Sequence, residues 1–440
     1  RRSDSDNDRT KVRRRTARPG TGIRVSKERL QPLGVIGAFF ATALFVFAAI
    51  PVWVMLSAGE LAGAILVHPK VVVLVHLYAL GFGTFVALGA LRQLAPVVFQ
   101  TPVPGDARTF RAGLLAMLAG FACFAYGMGR YRYGLAAAGG ALMTVAFVFN
   151  FAALAAAVLR RSRPSVIQWY VLPAALSLIA TGVLGTLAAW HKATGLLGGA
   201  WAAVLGSHLY LGPLGFYGFL VTGVSYELAP FLGLTRAGSE KGIGKYDRIV
   251  LALLLLGFLL GWGSALAGRH RPLFLLPAAL GLLLFAFDLR SVFGRRDPIR
   301  RTATLTGVRA SQGYLVAVAA MVAAGAAFPA LWANAGWVRA FAWLVAAGWL
   351  SNAVIGYLHR ILPFVAWHNR YWGKPKEEIR TPFPRMVSQR LGRWGMYIYN
   401  AGVLGVLAGF GIPAAVASAG AVMAAGAWLL AFNLIRALFR

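Results

Sequence analysis

GFGTFVALGALRQLAPVV (81–98), GFYGFLVTGVSYELAPFL (215–232) and GWLSNAVIGYLHRILPFV (348–365) are three versions of one pattern. Aligned on Pro96, Pro230 and Pro363, each has a glycine fifteen residues earlier (Gly81, Gly215, Gly348) and another seven earlier (Gly89, Gly223, Gly356). The prolines are 134 and 133 residues apart, so the chain repeats at a fixed period. Glycines eight residues apart keep one helix face smooth and let a neighbouring helix come close. The proline, with the polar residues after it, is expected to end the helix at a membrane boundary.

Each pattern closes a longer apolar run. Twelve such runs follow residue 33: 34–57, 70–98, 109–129, 132–159, 168–190, 198–232, 246–267, 271–293, 309–332, 337–365, 392–411 and 413–436. A membrane-spanning helix needs roughly 20 apolar residues. The 440 residues are 59% apolar and only 13% charged, whereas a soluble domain carries about 25% charged residues. A second motif recurs in runs four, eight and twelve as FVFN (147–150), FAFD (285–288) and LAFN (430–433), which makes Asn150, Asp288 and Asn433 equivalent. The sequence therefore predicts an all-α integral membrane protein, with twelve transmembrane helices in three quasi-equivalent four-helix units over residues 31–440. Residues 1–30 hold eleven Lys and Arg without apolar periodicity, and read as a disordered tail lying at anionic lipid.

The net charge of +31 would suggest nucleic acid in a soluble protein. Here the placement of the charges gives a different reading. With a cytoplasmic N-terminus, 37 of the 44 Lys and Arg fall on the inner side, leaving Lys70, Arg130, Arg132, Lys192, Arg269, Arg271 and Arg339 outside. That bias predicts a multi-pass plasma-membrane protein with both termini in the cytoplasm. The lipid bilayer is its surroundings, and no nucleic-acid motif accompanies the basic loops. The single cysteine, Cys123, excludes an internal disulfide, covalent CxxCH heme attachment, an iron–sulfur cluster and a thiolate zinc site.

Seven histidines remain as metal-ligand candidates. His68, His191 and His270 adjoin basic residues at outer helix ends, and His368 falls in the basic segment WHNRYWGK; these four read as interfacial. His76 and His208 differ. Both stand in His-Leu-Tyr, 20 and 22 residues before their prolines, which at 1.5 Å per residue is ~30 Å above the inner boundary. Imidazole binds iron and copper alike, and ionisable residues inside spans are costly enough to suggest function. Tyr78 and Tyr210, two residues further on, are candidate donors to a bound ligand or a propionate. Asp288 is an intramembrane acid with Arg290 as its nearest expected partner.

Three groups of four helices, with the second of each group innermost, resemble subunit I of the heme-copper oxidase superfamily. That superfamily includes the nitric oxide reductases and twelve-span nitric-oxide-response proteins. The resemblance implies heme b or copper as cofactor, and respiratory subunits or a small redox protein as partners. It implies an oxidoreductase only where the full ligand set is present. That set is incomplete here, because the seventh run lacks the family's His-His pair. The tenth offers FAW (341–343) where an outer heme ligand pair would stand, and its one histidine up to Pro363, His359, lies at the inner end, equivalent to Arg92 and Tyr226. Three alternatives stay open: His76 and His208 hold one metal or heme together, one of them holds a five-coordinate heme, or the scaffold has no cofactor. A solute or ion transporter and a cofactor-free structural subunit of a respiratory complex are the competing readings. The threefold period weighs against the inverted halves common in transporters.

Overall fold

The computed structural model describes residues 33–98, 103–159, 166–231, 246–269, 271–292 and 302–440. The tail at 1–30, the loops RRSRP (160–164) and GRRDPIRR (294–301), and His270 lie outside the described residues. No strand occurs among the described residues. Twelve long helices do: α1 (Leu33–Leu56), α2 (69–98), α3 (Ala107–Gly129), α4 (Tyr133–Leu159), α5 (Val166–Thr194), α6 (201–231), α7 (Asp247–Leu266), α8 (Leu276–Val292), α9 (Ala303–Ala327), α10 (Ala335–Tyr371), α11 (Gln389–Ala408) and α12 (Pro413–Ile435). Among the described residues eleven helices are long and apolar enough to cross a membrane; α11, which carries Arg390, Arg393 and Asn400, is not one of them. The chain is an all-α, membrane-type protein.

Helices start where a side chain can satisfy their free N–H groups. Asp106 caps α3 through Thr109 N at 2.9 Å, Asn334 caps α10 through Trp337 N at 3.0 Å, and Ser388 caps α11 through Leu391 N at 3.3 Å. Thr302 caps α9 through Leu305 N, so that helix begins six residues before the apolar run expected from residue 309. It stops ahead of Pro329. Hydropathy marks the lipid-facing middle of a helix, whereas caps and prolines set its ends.

The outer helices pack in sequence order, and α12 returns to pack against α1. The glycines of the repeat lie where each inner helix crosses the first helix of its group. A methyl added at Gly81 would come within 2.7 Å of Val46 on α1, at Gly215 within 2.6 Å of Ser177 on α5, and at Gly348 within 2.6 Å of Tyr314 on α9. The second set behaves alike: Gly89 meets Phe39 at 3.0 Å, Gly223 meets Tyr170 at 2.3 Å and Gly356 meets Val308 at 3.1 Å. The contacts below 3.0 Å are close helix approaches that favour glycine, while at Gly89 and Gly356 an added methyl would press its neighbour by a few tenths of an ångström.

Each inner helix also contains a π-helical segment: Leu77–Thr84 in α2, Leu211–Gly218 in α6 and Leu344–Leu350 in α10. Their starts are 134 and 133 residues apart, the spacing of the prolines. Such segments cluster at functional sites, because the extra residue per turn re-aims the flanking side chains.

Two local expectations are corrected. Pro363 does not end its helix: α10 continues eight residues to Tyr371, with Pro363 inside it. A proline removes one backbone bond and can be tolerated where neighbouring packing supports the turn, and here Phe364, Trp367 and His368 form an aromatic cluster with Trp372. The same cluster corrects His368. It is buried in the last turns of a helix rather than lying in a loop, with its ring stacked on Trp372 at 4.7 Å.

Candidate functional site

His76 is the last residue before the α2 π segment, and His208 stands three residues before that of α6. The fold brings the two together. Their ring centroids are 6.0 Å apart, with planes inclined by 25°. His76 Nδ1 lies 2.7 Å from the Val72 carbonyl one turn earlier on its own helix. His208 Nδ1 lies 3.0 Å from the Thr181 carbonyl of α5. A carbonyl only accepts, so each Nδ1 carries the hydrogen and each neutral ring keeps its lone pair on Nε2.

Two further residues shape the pair, and sequence reasoning did not single out either. Phe124 of α3 packs on the His76 ring with centroids 4.7 Å apart. Gly185 of α5 makes space for the second imidazole, since a methyl there would stand 2.8 Å from His208 Cε1. The signal for Gly185 was present as the close glycine pair Gly182 and Gly185, but it reads equally well as helix packing. The carbonyls of Val72 and Thr181 carry no sequence signal, because every residue has one.

Tyr78 and Tyr210 are not brought to this pair. Tyr78 is fully buried, edge-on to Trp343 of α10 at 6.1 Å. Tyr210 packs on α7, where a methyl at Gly261 would meet its ring at 2.5 Å. Trp343 occupies the place in α10 that His76 has in α2, and its Nε1 donates to the Val403 carbonyl at 3.0 Å. Directly below the pair, the Tyr217 hydroxyl of α6 donates to the Ala79 carbonyl of α2 and also bonds Thr84 Oγ1 at 2.9 Å. These bonds tie the two inner helices together.

At the proline ends of these helices the equivalent positions do pair. Arg92 donates to Asn150 Oδ1 at 3.0 Å, and the Tyr226 hydroxyl donates to Asp288 Oδ2 at 3.3 Å. Asp288 also accepts from Tyr246 N at 3.3 Å. Arg290 is exposed and forms no ion pair with it, which corrects the expected Asp288–Arg290 contact. Both residues sit on α8, but only two positions apart, so they point to different sides of the helix. In the third unit Asn433 binds the Ser388 backbone instead. His359 is held by Ile355 O at 2.8 Å, with Nε2 buried against Gly392.

The other described histidines have structural roles. His68 caps α2, accepting from Lys70 N at 3.3 Å, and its Nε2 lies 3.3 Å from the Tyr131 hydroxyl. His191 accepts from Leu197 N at 3.1 Å and stacks on Trp201. Among the described residues no group of three or more His, Cys, Asp or Glu is arranged to hold a metal ion. His76 and His208 thus stand as a pair, with no third such side chain grouped with them among the described residues. No protein-family model matches the chain, and no curated protein matches it.

Proposed function

We propose that this chain is a divergent relative of subunit I of the heme-copper oxidase superfamily, nearer its nitric-oxide-response branch than the catalytic oxidases. In this reading His76 and His208 hold a redox metal, as the iron of heme b or as copper, in electron transfer, gas sensing or nitric oxide handling. The observation that carries it is the stacked pair of imidazoles, 6.0 Å between centroids, each with Nδ1 fixed on a carbonyl so that Nε2 keeps its lone pair. Metal-binding histidines use this arrangement, in which the second-shell bond fixes the tautomer and raises ligand basicity. The recurring glycine contacts and π segments support three equivalent units.

The same reading counts α11 as a twelfth span. Gly37 near the start of α1 lies beside Leu438 near the chain end, so both ends share one side, as an even number of crossings requires. The charge bias supports reading that side as cytoplasmic. Once bound, the metal supplies one-electron chemistry or a coordination position for a small ligand. The protein's part is to hold both imidazoles in one tautomer, through Val72 and Thr181, and to enclose them with Phe124. The absence of histidine from α7 leaves no copper triad for reducing oxygen to water.

Visible spectra of the purified protein, oxidised and dithionite-reduced, together with metal analysis, test this reading. One heme b or one copper per chain is expected, lost in His76→Ala and in His208→Ala. A colourless, metal-free preparation from cells supplied with heme and copper would sink it and move the transporter or structural-subunit reading ahead.

A further inference from the structure

We propose that the groove between α11 and α12, at the end of the bundle where Gly37 meets Leu438, binds the phosphate headgroup of an anionic phospholipid. The proposal does not depend on the histidine pair. Register is its first support. A methyl added at Gly395 would stand 2.7 Å from Leu430, and one at Gly402 would overlap Met423. The two glycines are seven residues apart and so are their partners, so α11 and α12 lie antiparallel without slippage. Carried five residues past Gly395 and Leu430, this register sets Arg390 level with Ile435, one position from Arg436. At 1.5 Å per residue both arginines stand about 8–9 Å beyond that contact. Arg440 Nη1 donates to the Arg385 carbonyl at 2.7 Å, which brings two more guanidinium-bearing residues to the same corner.

Exposure shows what these arginines face. On α11 Arg390, Trp394 and Tyr397 are exposed at helical spacing, and the two rings meet edge-on at 6.0 Å. On α12 Trp428 and Phe432 are exposed, and the Arg436 guanidinium lies over the Phe432 ring at 5.3 Å. Trp and Tyr settle at the level of lipid headgroups, so Arg390, one turn past Trp394, stands at the depth of the phosphates. Asn400 turns inward instead and exchanges two hydrogen bonds with Asn352 of α10. The polar side of α11 is thereby satisfied within the bundle, and its aromatic side is left for lipid.

Charge identifies the ligand. Among the described residues no carboxylate pairs with Arg385, Arg390 or Arg436, and the acids nearest to them in sequence, Glu377 and Glu378, are exposed. The cluster therefore carries a charge that the described protein does not answer. Every basic residue after Lys376 is an arginine. A guanidinium takes two phosphate oxygens at once through its planar fork, and its weak hydration suits an apolar border, whereas an ammonium acts as a hydrated point charge. Basic pockets between membrane helices recognise anionic headgroups in this way.

The test is native mass spectrometry of the purified full-length protein in detergent, titrated in parallel with phosphatidylglycerol, phosphatidylcholine and inorganic phosphate. One phosphatidylglycerol per chain should be retained under activation that strips phosphatidylcholine. The double variant Arg390→Gln with Arg436→Gln should weaken that binding at least about tenfold. Arg108→Gln with Arg111→Gln, which removes the same charge from the exposed start of α3, should change it less than about twofold. If the variants fail to fold, the preference of the natural protein between the two lipids decides alone. Equal retention of both lipids would overturn the proposal, as would an equal loss in the α3 variant, which would mark diffuse attraction to a basic surface. Inorganic phosphate bound as tightly as phosphatidylglycerol would also overturn it, in favour of a site for a soluble anion.

Discussion

Glu60 lies in the short helical turn Ala58–Ala62 between α1 and α2, where its carboxylate meets Lys70 Nζ at 2.7 Å. Lys70 also donates to the Leu56 carbonyl, so one ammonium fixes the outer start of α2 six residues ahead of His76. Partial burial pushes the Glu60 carboxyl up, but the Lys70 ammonium hydrogen-bonded to it outweighs this and leaves it below its ordinary value of 4.5. A carboxylate lowered in the folded state contributes stability above its unfolded pKa, and loses it as pH falls through the folded value. The pair is partly exposed, so about 0.5–1 kcal/mol is at stake. The thermal midpoint in detergent should therefore fall between pH 6 and pH 3 by more in the natural protein than in Glu60→Gln. Equal slopes would show that the pair contributes nothing. Sequence reading found His76 and His208 through their shared triplet, yet passed over Glu60, because an acid in a loop has no pattern until its partner is seen. Likewise, Asp288 was assigned the arginine nearest in sequence, when its partner Tyr226 comes from another helix.

The helices themselves were legible, because apolar runs of this length have few alternatives, and the glycine spacing indicated which faces would meet. The π segments were not. A shift in the hydrogen-bond ladder depends on packing against neighbouring helices, and composition does not encode it. Helix ends were misjudged for a related reason: α9 begins at a threonine cap and α10 runs through a proline. The glycine contacts have a direct consequence at this scale. A side chain at Gly223 would overlap Tyr170 Cβ, 2.3 Å from the new carbon, and both helices are anchored, so neither can move aside freely. Gly223→Val should lower stability by about 3 kcal/mol or more, at the upper end of the cost of overpacking. By contrast, Gly313 on α9 has open space around it, and Gly313→Ala should be neutral or stabilising by up to about 1 kcal/mol. Thermal unfolding in one detergent compares the two, and equal midpoints would remove the close-approach account of the repeat.

The two ends of the described chain share one end of the bundle, where Gly37 lies beside Leu438. Tyr371, at the end of α10, donates to the Arg440 carbonyl at 2.8 Å, and Arg370 donates to the Leu438 carbonyl. At the other end of the bundle Arg339 reaches the Leu61 and Ala62 carbonyls at 2.7 and 2.5 Å, with its guanidinium over Phe410. The start of α10 thus lies with the end of α1, and the end of α10 lies with the chain terminus. The side that holds the termini is also the side to which the charge count assigns 37 of 44 Lys and Arg, and basic loops stay on the cytoplasmic face during insertion. The shared side of the chain ends and the charge count both support the proposed orientation. In a Cys123→Ser background, cysteines placed at Arg161, Arg295 and Lys376 should resist an impermeant thiol reagent in intact cells, while one at Arg132 should react. The reverse pattern would invert the molecule and place the histidine pair toward the cytoplasm. Labelling at only some of the three inner positions would break the even number of crossings between them, and with it the proposed count of spans from α5 to α10.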